Sequence, residues 1–153
     1  MSAPHAGTVP RIVAGVDGSP SSINALRWAV RQAELTGGTV DGVISWEFPY
    51  SGSGLGWAPV SPIDDTDYSE LAAKSLAEAV GEVNPPPAVT VHQVVVAGNP
   101  AQVLLDAAEG ADLLVVGNRG HGGFADALIG SVSVRCLHHA TCPVVVVRSP
   151  KHR

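Results

Sequence analysis

The sequence predicts an α/β domain built on an open, five-stranded parallel sheet with helices on both faces. Two observations support this prediction. Short runs rich in valine, isoleucine and leucine alternate along the chain with segments whose apolar residues recur at helical spacing. Apolar runs without polar alternation are typical of parallel strands that are buried on both faces. The chain has 153 residues, 45% of them hydrophobic and 15% charged, which suits one folded domain with a single core.

The first strand and the first helix are predicted between residues 11 and 38. Residues 11–16 form a mostly apolar run that stops at the turn-forming sequence Asp-Gly-Ser-Pro. Ser19 can cap a helix, and Pro20 suits the first helical position, where no backbone N–H is required. Gly37 and Gly38 end the helix. The apolar residues in between recur at helical spacing: Ile23, Leu26, Val30 and Ala33.

The second strand and the second helix flank a long connection. Residues 39–46 predict the strand, and the turn at 84–87 ends the helix. Residues 48–65 are rich in proline, glycine and serine and exceed the usual length of a connection. They form either a lid or interaction loop, or a tolerated insertion. The helix is marked by residues at helical spacing: Tyr68, Leu71, Ala72, Ser75, Leu76 and Ala79.

The remaining elements continue the alternation of strand and helix. Asn99 is a capping residue for the third helix, with Pro100 at its first position. Because strands alternate with helices, the connections are right-handed crossovers between parallel strands. The predicted ranges are a strand at 89–97, a helix from 100 to the glycine at 110, a strand at 112–116, a helix at 130–140 and a strand at 143–147.

Composition and charge exclude several classes of function. A net charge of -5 with only nine lysines and arginines argues against a nucleic-acid partner. The N-terminal residues lack the apolar core of a signal peptide, and no apolar run approaches the roughly 20 residues that cross a bilayer. Two cysteines are too few for a disulfide framework. We therefore expect a cytoplasmic protein without a membrane partner, with one domain at 11–148, a flexible tail at 1–10 and a basic tail at 149–153.

The candidate ligand-binding residues lie at the ends of two predicted strands. Ligands of open α/β sheets bind beyond the carboxyl ends of the strands, where the strand order reverses. The first strand ends in Gly-Val-Asp-Gly-Ser at residues 15–19, and the fourth ends in Gly-Asn-Arg-Gly at residues 117–120. If both ends line one site, the first and fourth strands are neighbours, as in the order 3-2-1-4-5.

The glycine spacing after the fourth strand indicates a phosphate site. Two residues lie between Gly117 and Gly120, and Gly130 and Ser131 follow after nine more. Glycine lets a backbone approach phosphate closely, and the start of a helix favours an anion. The hydroxyls of Ser131 and Ser133 would add donors, and Gly117→Val or Gly130→Val would block the phosphate without unfolding the protein. The alternative is that these glycines only make turns and that Ser131 is an ordinary helix cap.

Asp17 is the second signal. An acidic residue at a strand end can accept a ribose hydroxyl or lie near a phosphate-bound Mg²⁺. The alternative is a turn in which the carboxylate accepts from the backbone.

Other motifs are not supported. The chain lacks the Gly-Lys-Ser/Thr of a P-loop and the Gly-x-Ser-x-Gly of a hydrolase elbow. The Gly-x-Gly-x-x-Ala match that begins at Gly120 follows the fourth strand, whereas the dinucleotide fingerprint follows the first. A zinc site is also disfavoured. Its four candidate ligands would be Cys136, His138, His139 and Cys142, and the first three share one short helix.

These residues resemble the universal stress protein family, specifically its ATP-binding branch. The family's phosphate pattern is Gly, two residues, Gly, nine residues, then Gly and Ser or Thr, and this chain matches it at Gly117, Gly120, Gly130 and Ser131. The opening at 13–20 and the Cys-Pro before the last run of valines are also similar to the family. The resemblance covers residues 11–148. The chain departs from the simplest family pattern in its long loop at 48–65 and in His121 and Asp126, which lie within the spacer.

The resemblance implies an adenine nucleotide alpha hydrolase-like sheet in the order 3-2-1-4-5, ATP with Mg²⁺ in the cleft, and a homodimer. Pairing of the last strand, Val144 to Val147, would form the dimer, and Val145→Pro would disrupt it. The alternative is a monomer whose edge is covered by residues 148–153. The implied adenine and ribose contacts are Gly15, Val16, Asp17 and Ser45, and the implied phosphate contacts are Gly117, Gly120, Gly130, Ser131 and Val132. The remaining residues that we expect in the ATP site are Val116, Arg119 and Ser133.

Two classes of function follow. The first is a regulatory protein of the stress response whose surface changes with ATP occupancy. The second is an enzyme on the same fold, a slow ATPase or nucleotidyl transferase, although Arg119 is the one cation between Gly117 and Ser131 and no base is evident. A binder of AMP or cyclic AMP and a dimeric interaction module with an empty cleft remain further alternatives. We expect binding rather than catalysis.

Overall fold

The computed structural model describes residues 8–47, 65–119 and 130–148. Five strands alternate with four helices in this part of the chain, as the sequence predicts. In chain order they are β1 (Arg11–Gly15), α1 (Pro20–Thr36), β2 (Thr39–Trp46), α2 (Asp65–Val83), β3 (Val91–Ala97), α3 (Pro100–Ala107), β4 (Leu113–Gly117), α4 (Ser131–His139) and β5 (Val144–Val147). No helix among the described residues is long and apolar enough to cross a membrane.

The strands form one parallel sheet in the order β3-β2-β1-β4-β5. This confirms the predicted order 3-2-1-4-5. β1 lies at the centre, with Ile12 opposite Val40 of β2 on one side and opposite Leu113 of β4 on the other. The direction of winding therefore reverses between β1 and β4, and the carboxyl ends of these two strands adjoin.

Both faces of the sheet are covered, because successive strand residues point to opposite sides. Ile12 and Ala14 pack with α1 and α2, where Leu26 and Leu76 are fully buried. Val13 packs on the other face, against α3 and α4. The residues buried on that face include Val43, Val103, Leu104, Leu114, Val116 and Cys136.

The helix ends follow the predicted caps. The Ser19 and Asn99 side chains accept from the third residue beyond them, and a proline opens each helix. Gly37 ends α1 in the left-handed region at φ 75°. Leu71, which the sequence placed on the apolar stripe of α2, is 58% exposed, so the stripe is narrower than predicted.

Strand boundaries differ slightly from the prediction. β1 stops at Gly15, although the N–H of Val16 still donates to the Val43 carbonyl of β2. β3 begins at Val91 rather than 89, and β4 is shifted by one residue to Leu113–Gly117. The predicted tail at 149–153, most of the tail at 1–10 and nearly all of the loop at 48–65 lie outside the described residues.

Candidate functional site

A cavity of about 330 Å³ opens at the carboxyl ends of the central strands, on the sheet face covered by α3 and α4. Its volume lies at the lower end of the range for small-molecule sites. The lining comes from the end of β1, the ends of β2 and β4, and the first turns of three helices: Gly15, Val16, Asp17, Ser22, Val43, Ser45, Pro100, Leu104, Val116, Gly117, Arg119, Gly130, Ser131, Val132 and Ser133.

The turn after β1 holds Asp17 at the wall of the cavity. Oδ1 of Asp17 accepts from the Ser19 N–H at 2.8 Å, and the Asp17 N–H donates to the Ser22 hydroxyl at 3.1 Å. Gly18 between them has φ 83°, a conformation that favours glycine. The turn that the sequence offered as an alternative reading therefore forms. The same bonds fix Asp17 among the lining residues.

The other side of the cavity is the start of α4. The Gly130 N–H donates to the Asn118 carbonyl at 2.6 Å, so the two ends of the β4–α4 connection are held together. Gly130 occupies the cap position and provides no side-chain oxygen. Ser131 is exposed at the first helical position. Because the first N–H groups of a helix lack intrahelical acceptors, this end is suited to an anion.

Two details of the predicted phosphate site need correction. The Ser133 hydroxyl is buried and donates to the Gly117 carbonyl at 2.5 Å, so its proton is directed to β4 and not to a ligand. At Gly117 an added Cβ would meet the Ser21 hydroxyl and would lie 2.7 Å from the Ser21 backbone. Glycine is therefore required at 117 by the approach of α1. The expectation that Gly117→Val would block only a phosphate is wrong.

Part of the cavity lining is apolar. Val43, Leu104 and Val116 line it, together with Pro100 at the start of α3. A Cβ at Gly15 would lie 2.7 Å from Cδ1 of Leu104, so the absent side chain of Gly15 makes room for Leu104. A flat base has apolar faces that fit such a surface, whereas the hydroxyls of Ser22 and Ser131 lie in the first turns of α1 and α4.

The structure brings together the residues that the sequence predicted from three separate segments. All of the predicted site residues that the structure describes line this cavity; Gly120 lies outside the described residues. Four further lining residues were not predicted. Val43 could have been found, because it lies two positions before Ser45 and so shares its face of β2. Pro100, Leu104 and Ser22 had no sequence signal beyond their place in a helix.

The two cysteines lie apart from the cavity lining. Burial raises the pKa of the Cys136 thiol to about 11, with smaller effects of Arg135, which lowers it, and Cys142, which raises it. Burial also raises the pKa of Cys142. His138 and His139 are exposed on α4. Within the described ranges, no group of three or more His, Cys, Asp or Glu side chains converges on a point.

Comparison with known proteins gives matches along most of the chain. A sequence model described as the universal stress protein family matches residues 8–148. Universal stress protein Rv1996 of Mycobacterium tuberculosis is 37% identical over 151 residues, which are 97% of this chain and 45% of that protein. A universal stress protein of Mycolicibacterium smegmatis is 35% identical over 144 residues, 89% of this chain and 47% of that protein. The chain thus spans about half the length of these curated relatives.

Solved structures share the fold. Protein MJ0577 superposes with a TM-score of 0.76 at 20% identity, over 94% of this chain and 98% of that one. A universal stress protein in complex with cAMP has a TM-score of 0.63 at 26% identity, over 90% and 95% of the two chains. A family protein of Arabidopsis thaliana with AMP bound has a TM-score of 0.58 at 19% identity, over 92% of both chains.

Proposed function

This chain belongs to the universal stress protein family, and we propose that it is an ATP-binding regulatory protein of the stress response. In this proposal an adenine nucleotide occupies the cavity at the ends of β1, β2 and β4. Occupancy changes the surface that the protein presents to its partners. We place this activity in the cytoplasm, where ATP is available and thiols such as Cys136 stay reduced.

One observation carries the proposal: an apolar recess and a helix start suited to an anion share one cavity. The base would lie against Val43, Leu104 and Val116. The phosphates would extend toward Gly130 and Ser131 at the start of α4. Such a polarised cavity matches a ligand with an apolar ring at one end and negative charge at the other.

Related structures support an adenine nucleotide as the ligand class. Two of them are complexes with cAMP and with AMP, and a third, a universal stress protein from Archaeoglobus fulgidus, is a complex with dAMP. All three share the adenine ring and one phosphate. Within this class, we propose ATP with Mg²⁺ as the ligand. Asp17 is the acidic side chain among the described lining residues and the candidate group for the ribose or the metal side.

Binding is favoured over catalysis by the chemistry of the lining. Transfer of a phosphoryl group needs cations that clamp the phosphates and an oriented nucleophile. The described lining holds one basic side chain, Arg119, and otherwise small, apolar or hydroxyl-bearing residues around Asp17. Incubation of the purified protein with ATP and Mg²⁺, followed by chromatography for ADP and AMP, tests the enzymatic alternative.

We further propose a homodimer formed through β5. This strand is an edge of the described sheet, and its four valines are half-buried. Unpaired edge strands with apolar side chains are a hazard unless they are covered. Val134 and Leu137 on the neighbouring helix α4 are 37% and 46% exposed, which extends the apolar surface beside the edge. A second copy of the chain, paired along β5, would bury both of these side chains.

The bonds of β5 revise the choice of variant for testing the dimer. The carbonyls of Pro143 and Val147 accept from Leu114 and Asn118, so odd-numbered residues of this strand face β4. The N–H of Val145 therefore also faces β4, and Val145→Pro would damage the sheet itself. The N–H of Val146 faces the free edge, so Val146→Pro is the variant that tests the pairing of two β5 strands in the dimer.

The test of the function uses a charge at the start of α4. Ser131→Asp places a carboxylate at the first helical position, where it stabilises the helix by about 0.3–1 kcal/mol and repels phosphate. We expect titration calorimetry to show binding of ATP by the unmodified, ligand-stripped protein and its loss in Ser131→Asp, with no fall in melting temperature.

The matched control is Ser131→Asn, which has the size of aspartate without its charge. It should retain most of the affinity. Failure of the unmodified protein to bind ATP, AMP or cAMP would refute nucleotide binding. Equal affinity of Ser131→Asp and Ser131→Asn would refute the placement of the phosphates.

A further inference from the structure

The Ser21 hydroxyl bridges the first turn of α1 and the beginning of the β4–α4 connection. It donates to Oδ1 of Asn118 at 2.9 Å and accepts from the N–H of Arg119 at 3.2 Å. Both side chains are buried, Ser21 at 5% and Asn118 at 9% exposure. Hydrogen bonds shielded from water in this way are costly to lose, because the remaining partners find no solvent to replace them.

We infer that Ser21 is a positioning residue that sets the phosphate end of the cavity from outside it. Ser21 does not line the cavity, whereas its hydrogen-bond partner Arg119 and its packing neighbour Gly117 do. The inference rests on the proposed function and deepens it. It assigns the geometry of the phosphate end to a serine of α1 that lies outside the glycine pattern.

The effect of Ser21 reaches the start of α4 through the Asn118 peptide. Asn118 receives the Ser21 proton on its side chain and the Gly130 N–H on its carbonyl, at 2.6 Å. Its own N–H is held by the Val147 carbonyl of β5 at 3.0 Å. The side chain, the carbonyl and the N–H of Asn118 are therefore all hydrogen-bonded. As a result, the position of Gly130, and of Ser131 after it, depends on where Ser21 holds Asn118.

The packing at Gly117 also supports a positioning role for Ser21. A Cβ at this position would collide with Ser21, so strand and helix approach as closely as the backbone allows. The close approach places the Ser21 hydroxyl within reach of both Asn118 and Arg119. A side chain at 117 would separate them.

The experiment compares a ligand that has phosphates with one that has none. ATP with Mg²⁺ and adenosine are titrated into the unmodified protein, Ser21→Ala and Val30→Ala. Val30 is a buried residue of the same helix that does not line the cavity, so Val30→Ala controls for lost stability. We expect Ser21→Ala to weaken ATP binding about tenfold, the effect of roughly one hydrogen bond. Adenosine affinity should stay within about twofold, as should both ligands in Val30→Ala.

A second readout needs no ligand. The amide of Arg119 should exchange with deuterium faster in Ser21→Ala than in Val30→Ala, because only the first variant removes its acceptor. Should Ser21→Ala fail to fold, Asn118→Ala removes the partner of the same hydroxyl and should give the same split between ATP and adenosine.

The two proposals fail differently. Parallel loss of ATP and adenosine affinity in Ser21→Ala, or no loss of either, overturns the role of Ser21 and leaves nucleotide binding intact. Unchanged exchange at Arg119 also overturns it. Absence of binding in the unmodified protein overturns the proposed function, and this inference with it.

Discussion

At Gly117 the end of β4 runs directly against the first turn of α1. Gly117→Ala would push a Cβ to within 2.7 Å of the Ser21 backbone, which cannot move without displacing the helix. Overpacking of this kind costs about 1–3 kcal/mol of unfolding free energy. We expect urea denaturation to show that loss.

The matched control for Gly117→Ala is Gly81→Ala. Gly81 lies in α2 with nothing within 4 Å of its Cβ position. Alanine there should stabilise the protein by about 0.5–1 kcal/mol, because it restricts the unfolded chain and favours the helix. Equal effects of the two substitutions would contradict the packing assigned to Gly117.

We expect the buried thiol of Cys136 to make the free energy of unfolding depend on pH above about pH 9. Its pKa is raised to about 11 in the folded protein from an ordinary value of 9.0. The unfolded chain therefore releases this proton first, so the stabilising contribution is complete below pH 9 and is lost as the pH rises from 9 toward 11. Urea midpoints measured across this range should fall more steeply for the unmodified protein than for Cys136→Ala. Parallel curves would exclude the effect.

At the scale of elements, α3 depends on its cap. The Asn99 side chain accepts from the Gln102 N–H at 3.2 Å, and the helix carries Pro100 and Leu104 to the cavity. We expect Asn99→Ala to lower the unfolding free energy by about 1 kcal/mol. Gln102→Ala on the same helix removes only an exposed bond to Asp106 and should cost less than about 0.5 kcal/mol. A larger loss in Gln102→Ala than in Asn99→Ala, by thermal denaturation, would contradict this.

The elements could be predicted because their signals are local. Ser19, Asn99 and Gly37 act through bonds or dihedral angles within a few residues of themselves, so the sequence alone indicates where the helices begin and end. The glycine spacing likewise predicted Gly117, Gly130 and Ser131, which line one side of the cavity. The hydrogen bond of Ser21 with Asn118 joins residues 97 positions apart, and neither this bond nor the contact of Ser21 with Gly117 has a local signal. The reason for glycine at 117 was therefore misassigned. Leu104 was not predicted as a lining residue for the same reason, because its place in the cavity has no local signal.

The assembly of the whole molecule is tested at the free edge of the sheet. We expect sedimentation to find the unmodified protein dimeric at tens of micromolar. Val146→Pro should be monomeric and folded, because the residue faces away from β4. Val145→Pro should lose stability instead, because it removes an N–H that faces the sheet. A monomeric unmodified protein would contradict the dimer and leave the nucleotide site unaffected.

The central pairing of β1 with β4 has a consequence for how the chain folds. The Arg11 N–H donates to the Asp112 carboxylate across 101 positions of sequence, whereas every other pairing of the described sheet joins strands that are consecutive in the chain. Closing the longer loop costs more chain entropy, so we expect the pairing of β1 with β4 to form after the pairings between consecutive strands. The cavity lies across that last junction, with Asp17 on one side and Gly130 on the other. A ligand bound there can stabilise only a chain whose two halves have already docked, and its capture during refolding would mark the completion of the sheet.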